Sequence, residues 1–186
     1  MDKATLRTTI LAGRRAMDER QRAEAAEAIA LHLLAHPLLA SARRIAAHLS
    51  MPSEPGTGPL LAGLHERGTE VLVPISLPDG VLDWVLLDPD AERTATTLGI
   101  PEPAGERLGA DALADVQLVV MPALAVDHAG HRLGRGAGYY DRALTGVRAP
   151  RCALVFTHEL LPEVPHEPHD LPVQMAVTPG GVFRIL

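Results

Sequence analysis

Apolar positions near the start of the chain recur with helical spacing, and further along they gather into short continuous runs. The spacing predicts a helix from residue 3 to about 17; Asp18 can cap a second helix reaching about Ala35, and Pro37 interrupts the pattern before Arg43. These make an N-terminal helical pair. Beyond it, apolar runs at 44–49, 71–75, 82–87, 117–121, 152–156 and 174–177 alternate with helical or loop segments. Runs without polar alternation suggest strands covered on both faces. With intervening helices at 59–67 and 137–144, the order is the βαβ rhythm of a mostly parallel sheet, and an α/β layered domain is expected. Three stretches are rich in loop residues: 51–59, 98–105, and 161–181 around its short strand. There is no internal repeat and no separable second domain, so residues 1–186 are expected to form one unit.

Composition narrows the function classes. A chain of 186 residues can bury about 70% of its unfolded surface, and 47% hydrophobic with 22% charged residues is ordinary globular composition, which excludes wholesale disorder. The net charge of −6 removes long-range attraction to nucleic acid or anionic lipid as an organising force, although a local basic site remains compatible with it. No apolar run approaches the roughly 20 residues needed to span a bilayer, and the N-terminus lacks a cationic-then-apolar leader. A cytoplasmic protein without membrane or nucleic-acid partners is expected. Cys152 is the single cysteine, which excludes an internal disulfide and a multi-thiolate metal site and makes it a small core residue.

The densest chemical signal is the run Gly130-His131-Arg132-Leu133-Gly134-Arg135-Gly136-Ala137-Gly138-Tyr139-Tyr140-Asp141, between an expected strand and an expected helix. Glycines let successive backbone N–H groups converge without Cβ obstruction. The helix start would aim its unpaired N–H groups and positive dipole end at the same place, and Arg132 and Arg135 add charged donors. The run is neither a Walker loop, lacking Lys-Ser or Lys-Thr after the last glycine, nor a G-x-G-x-x-G turn. Its simpler alternative is a flexible turn with solvated arginines.

Three further segments bear on chemistry. In the first helix Lys3, Arg7 and Arg14 fall within about 40° of one another, beside Ile10 and Leu11, while Thr5, Thr8, Ala12 and Ala16 take the opposite side. An inward cationic row suits a polyphosphate or a buried carboxylate, and taken alone it is also the pattern of ordinary interface charge. After the first expected strand, Leu49 to Thr57 lies where α/β sheets bind ligands, which places Glu54 at a site; capping of the next helix by Ser53, Glu54 or Thr57 explains the same residues locally. His166 and His169 have a zinc-like spacing, but Pro168 between them removes the helix that would put both on one face. Asp141 and Asp170 could instead hold Mg²⁺, which commonly takes one or two carboxylates plus phosphate oxygens and water. The other histidines show no pattern.

With these segments in hand, the sequence resembles the 5-formyltetrahydrofolate cyclo-ligase family, also called 5,10-methenyltetrahydrofolate synthetase. The match runs in order through Lys3-x-x-Leu6-Arg7, Leu49-Ser50-Met51 with Glu54, and Met121-Pro122-Ala123-Leu124-Ala125-Val126-Asp127 leading into the arginine-glycine run to Asp141. It ends at Leu161-Pro162 with His169-Asp170. Gly99-Ile100-Pro101-Glu102-Pro103 resembles the family's Gly-x-x-Glu-Pro turn.

The resemblance implies a three-layer Rossmann-like sheet of the kind shared with sugar-phosphate isomerases and CoA transferases, and an ATP- and Mg²⁺-dependent conversion of 5-formyltetrahydrofolate to 5,10-methenyltetrahydrofolate with release of ADP and phosphate. By the same analogy Lys3, Arg7, Arg132, Leu133, Gly134, Arg135, Gly136, Ala137, Gly138, Tyr139 and Tyr140 would contact ATP. Leu49, Glu54 and the stretch from Arg135 to Tyr139 would contact the folate, Arg135 and Tyr140 would serve the chemistry, and Asp141 and Asp170 would hold Mg²⁺. A monomer or weak homodimer is expected. The chain departs from the family in two respects. Only 3% of its residues are aromatic, which leaves Tyr139, Tyr140, Trp84 and Phe156 as the rings available to a pterin, and Thr157-His158-Glu159 stands where many relatives carry a glutamine-containing stretch. A non-catalytic ligand-binding domain would have less need of two metal carboxylates, and a sugar-phosphate isomerase would need an acid/base pair that does not stand out here.

Overall fold

The computed structural model describes residues 1–90, 94–95 and 101–185. Both N-terminal helices form as expected: α1 (Lys3–Ala16) starts where Asp2 accepts the Thr5 N–H, and α2 (Glu19–Leu34) starts in a capping box between Asp18 and Gln21. Pro37 ends the pattern but opens a helical turn of its own, α3 (Pro37–Ala40), since proline at the first helical position gives up only an N–H that would be unpaired anyway.

The remaining chain lays down β1 (Arg44–Ala46), α4 (Gly58–Glu66), β2 (Glu70–Ser76), β3 (Leu82–Leu86), β4 (Thr94–Ala95), β5 (Pro101–Glu102), β6 (Val119–Pro122), β7 (Ala125–Asp127), β8 (Arg132–Leu133), α5 (Tyr139–Ala143), β9 (Arg151–Leu154), β10 (Leu160–Leu161), β11 (Met175–Thr178) and β12 (Gly181–Arg184). The main sheet runs β12-β11-β9-β6-β1-β2-β3. Its five inner strands pair in parallel, and the edges β3 and β12 are antiparallel. Every strand expected from the apolar runs is present. β1 and β9 stop short of the ends of their runs, whose last residues leave the sheet at its carboxyl edge, where ligands bind in such folds.

Alternation along the strands builds the layers. Val71, Val73, Val120, Cys152 and Leu154 pack with Ile29 and Leu33 of α2 and Leu60 and Leu64 of α4. Leu72, Trp84, Val119, Met121, Ala153 and Ala176 face the other way, onto Leu113 and Leu144. The apolar runs read as uninterrupted because both faces are covered. Cys152 lies wholly inside the first layer, and burial pushes its thiol pKa up. Trp84 and Phe156 are equally buried in the core, which removes both from the rings available to a pterin. No helix among the described residues is long and apolar enough to cross a membrane.

A second sheet, β10-β7-β8, was not foreseen. Its hairpin turns at Asp127, whose carboxylate accepts N–H bonds from Ala129, His131 and Val164. Gly130 closes the turn at φ +89°, and an added Cβ would run into the Val173 carbonyl. Gly130→Ala is expected to cost about 2–4 kcal/mol through left-handed strain plus overpacking, read as a lowered thermal midpoint; an unshifted midpoint would contradict the turn.

Candidate active site

One cavity of about 1050 Å³ opens at the carboxyl edge of the sheet, beyond β1, β2 and β6, beneath the start of α1. Single small-molecule sites commonly occupy about 300–1000 Å³, so this one lies at the large end of that range. Segments far apart in sequence meet on its wall: Lys3 and Arg7, Leu49 and Glu54, the whole stretch from Arg132 to Asp141, and Asp170.

The cationic row of α1 divides. Lys3 Nζ bonds Asp170 at 2.7 Å and Glu167 at 3.0 Å, and Arg7 Nε donates to the Gly134 carbonyl at 2.8 Å, both on the cavity wall. Burial alone would lower the Lys3 pKa, but the two carboxylates outweigh it and hold the ammonium firmly charged. For Asp170 burial works against charge as well, and the bonds from Lys3 and the Glu167 N–H more than offset it, keeping the carboxyl below its ordinary range. Arg14 takes the other course. It is wholly buried, with Nε and Nη2 on the two oxygens of Glu159 at 2.7 and 2.8 Å and Nη2 also on the Ala123 carbonyl. Of Thr157-His158-Glu159 only Glu159 turns inward, onto Arg14, while Thr157 and His158 are exposed, and neither Arg14 nor Glu159 is on the cavity wall.

The arginine-glycine loop wraps the opposite wall. Gly136, at φ +102°, brings the loop so close that a Cβ there would stand 3.4 Å from the Arg7 guanidinium carbon. α5 begins at Tyr139 and is five residues long, shorter than the expected helix over 137–144 because Gly138 turns left-handed at its N-cap. A helix of little more than one turn contributes a weak dipole, so the positive charge on this wall comes mainly from the arginine side chains. Arg132 Nη2 holds Asp141 at 2.6 Å, and its buried Nη1 has no partner among the described residues. Arg142, which the sequence reading passed over, braces the loop by donating to the carbonyls of Gly80 and Ala137.

Glu54 does not cap a helix. Thr57 stands at the N-cap of α4 without a side-chain cap bond and instead exchanges bonds with Ser50. The Glu54 carboxylate turns into the cavity, where Oε2 accepts the Met51 N–H at 2.9 Å and Oε1 accepts from Arg135 Nε at 3.2 Å. His48 was also missed. It is buried on the cavity wall, with Nδ1 3.4 Å from the Val120 carbonyl, and burial lowers its pKa, favouring a neutral ring with the proton on Nδ1. The only sequence signal for it was its place just past β1. Tyr140 has its phenol pKa raised by burial and by the Glu54 charge, so it stands as an O–H donor.

Asp141 and Asp170 come to neighbouring places: Asp141 Oδ1 accepts the N–H of Leu171, and both carboxylates reach the cavity. The hydrogen bonds of each converge on one oxygen, Oδ1 of Asp141 and Oδ2 of Asp170. That pattern fits a hard cation shared with phosphate oxygens. The histidine pair does not form a zinc site: His166 stacks flat on His131 with centroids 3.4 Å apart, and no group of three metal-binding side chains occurs among the described residues. Gly99 and Ile100 of the proposed Gly-x-x-Glu-Pro turn lie outside the described residues, while Pro101–Glu102 pairs antiparallel with Thr94–Ala95.

The model of the 5-formyltetrahydrofolate cyclo-ligase family matches residues 1–179. The chain is 39% identical over 184 residues to a 5-formyltetrahydrofolate cyclo-ligase of Mycolicibacterium smegmatis, covering 95% of this chain and 93% of the relative. Identity to the Escherichia coli K12 protein of the same name is 30% over 176 residues, covering 92% and 97%. Among solved structures, the Aquifex aeolicus 5,10-methenyltetrahydrofolate synthetase superposes with a TM-score of 0.85 at 27% identity, covering 100% of this chain and 93% of that one. Sequence, fold and cavity thus converge, and the chain belongs to the 5-formyltetrahydrofolate cyclo-ligase family of enzymes.

Proposed function

We propose that the chain closes 5-formyltetrahydrofolate to 5,10-methenyltetrahydrofolate with consumption of ATP and release of ADP and phosphate, through a phosphorylated formyl group. The observation that supports this reading is the convergence of Lys3, Arg7, Arg132 and Arg135 with the Glu54 carboxylate on the wall of one cavity of about 1050 Å³.

A formamide oxygen is a poor leaving group, and phosphoryl transfer to it makes a good one. The formyl oxygen attacks the terminal phosphorus of ATP, the O–P bond forms and ADP departs. N10 then attacks the activated carbon and loses its proton, and the C–O bond breaks to release phosphate as the five-membered ring closes. Such chemistry asks mainly for positioning and charge neutralisation. Lys3, Arg7, Arg132 and Arg135 neutralise the phosphates; Arg135 stands where phosphate and formyl groups must meet. Tyr140 offers a protonated O–H beside them, and Leu49 and Glu54 form the folate side, with the carboxylate suited to pterin N–H groups. Asp141 and Asp170 would hold Mg²⁺, which when bound supplies positive charge to the transferring phosphate.

Purified protein given 5-formyltetrahydrofolate with Mg·ATP is expected to generate the methenyl absorbance. Nucleotide binding without that change would favour the non-catalytic binding domain. Asp141→Asn is expected to raise the Mg²⁺ concentration needed for half-maximal rate several-fold, because one of two carboxylate ligands loses its charge. An unaltered metal titration would remove Asp141 from the metal site.

A further inference from the structure

We propose that the ion pair between Arg135 and Glu54 is a latch that couples the nucleotide and folate halves of the cavity, so that each ligand strengthens binding of the other. The inference rests on the functional reading above and adds to it a linkage between the two substrates.

Two arginine–glutamate pairs in this chain differ in kind. Arg14 and Glu159 are both wholly buried and joined by two short bonds, with further bonds to the backbone. That pair is permanent structure. Arg135 meets Glu54 through one bond of 3.2 Å, and among the described residues it makes no other side-chain bond. Its side chain is 42% exposed, whereas that of Glu54 is 4% exposed. A cation reachable by solvent thus rests on a fixed, buried anion, and the contact can open from the cation's side.

The partners also stand at different depths of the site, Glu54 on the folate side and Arg135 at the junction where the phosphates would meet the formyl group. Arg135 lies in the loop that would hold the phosphates, and Glu54 lies on the segment that would hold the pterin. As long as the pair stands, Oε1 of Glu54 is occupied, and Oε2 is held by the Met51 N–H. When phosphate draws Arg135 away, Oε1 is left as a buried carboxylate oxygen without its cation, an unfavourable state that N–H donors of a pterin relieve. In the reverse order, a pterin on Glu54 frees Arg135 for phosphate. Each ligand therefore spares the other the cost of opening the pair, and thermodynamic linkage makes the benefit equal in both directions.

The test is calorimetric titration of the full chain with Mg²⁺ and a non-hydrolysable ATP analogue, with and without saturating 5-formyltetrahydrofolate, then in the reverse order. In the wild type each ligand is expected to lower the other's Kd by the same factor, roughly 5- to 150-fold. In Glu54→Gln the factor should fall toward one, while the analogue alone binds at least as tightly as to the wild type because no charged partner has to be given up. Arg135→Gln reports from the exposed side of the pair: the factor again falls toward one, with weaker nucleotide binding. Tight but independent binding of both ligands to the wild type, or an undiminished factor in both variants, overturns the latch alone. Absence of binding by either ligand overturns the functional reading and the latch with it.

Discussion

Arg135→Ala is expected to lower turnover by roughly 10²–10³-fold, the usual effect of removing one charged donor aimed at developing transition-state charge. The fold should survive. The side chain is partly exposed and holds a single bond, and Glu54 keeps its Met51 N–H, so the thermal midpoint should move little. Circular dichroism and the methenyl absorbance assay, run on the same preparation, separate the two effects. Wild-type turnover in the variant would take Arg135 out of the reaction; a collapsed spectrum would make it a structural residue.

Arg14→Ala is expected to act the other way, on stability first. Breaking a buried ion pair from one side typically costs about 3–5 kcal/mol, and for a chain of this length each kcal/mol moves the midpoint by about 2–4 °C, so a fall of roughly 6–20 °C follows. The cost arises from stranding Glu159, which has no exposed surface, as an uncompensated charge. Replacing both partners together, Arg14→Met with Glu159→Leu, should therefore recover much of the loss. If the double variant is no more stable than Arg14→Ala, the stranded-charge account fails and lost packing against Phe156, whose ring the guanidinium overlies at 5.5 Å, is the better explanation.

How much of this was legible in the chain depends on how local each signal is. The caps at Asp18 and Pro37 act within four residues, and the inner strands announce themselves through runs that only a doubly covered strand tolerates. The second sheet was hidden because its strands are two or three residues long and β10 finds β7 more than thirty residues away. β12 was hidden by its position behind a Gly180-Gly181 turn, just past the end of a stretch that reads as loop. At the site, the glycine-arginine run displayed its own chemistry, but the fate of each carboxylate depended on a partner no local pattern contains. Glu54 had a plausible capping role nearby and took Arg135, 81 residues on; Glu159 accepts the Phe156 N–H three residues back and also took Arg14, 145 residues back. His48 carried no motif at all, since what matters about it is the wall it stands on.

The sealed position of Cys152 in the middle of β9 has a practical consequence. Its sulfur is shut away from reagents and held in the protonated, unreactive form. A maleimide would find it only in molecules whose sheet had come apart, so at reagent concentrations where labelling outpaces reclosing its rate would count opening events of the central strands. The chain thus carries, at one atom, a native clock for its own unfolding.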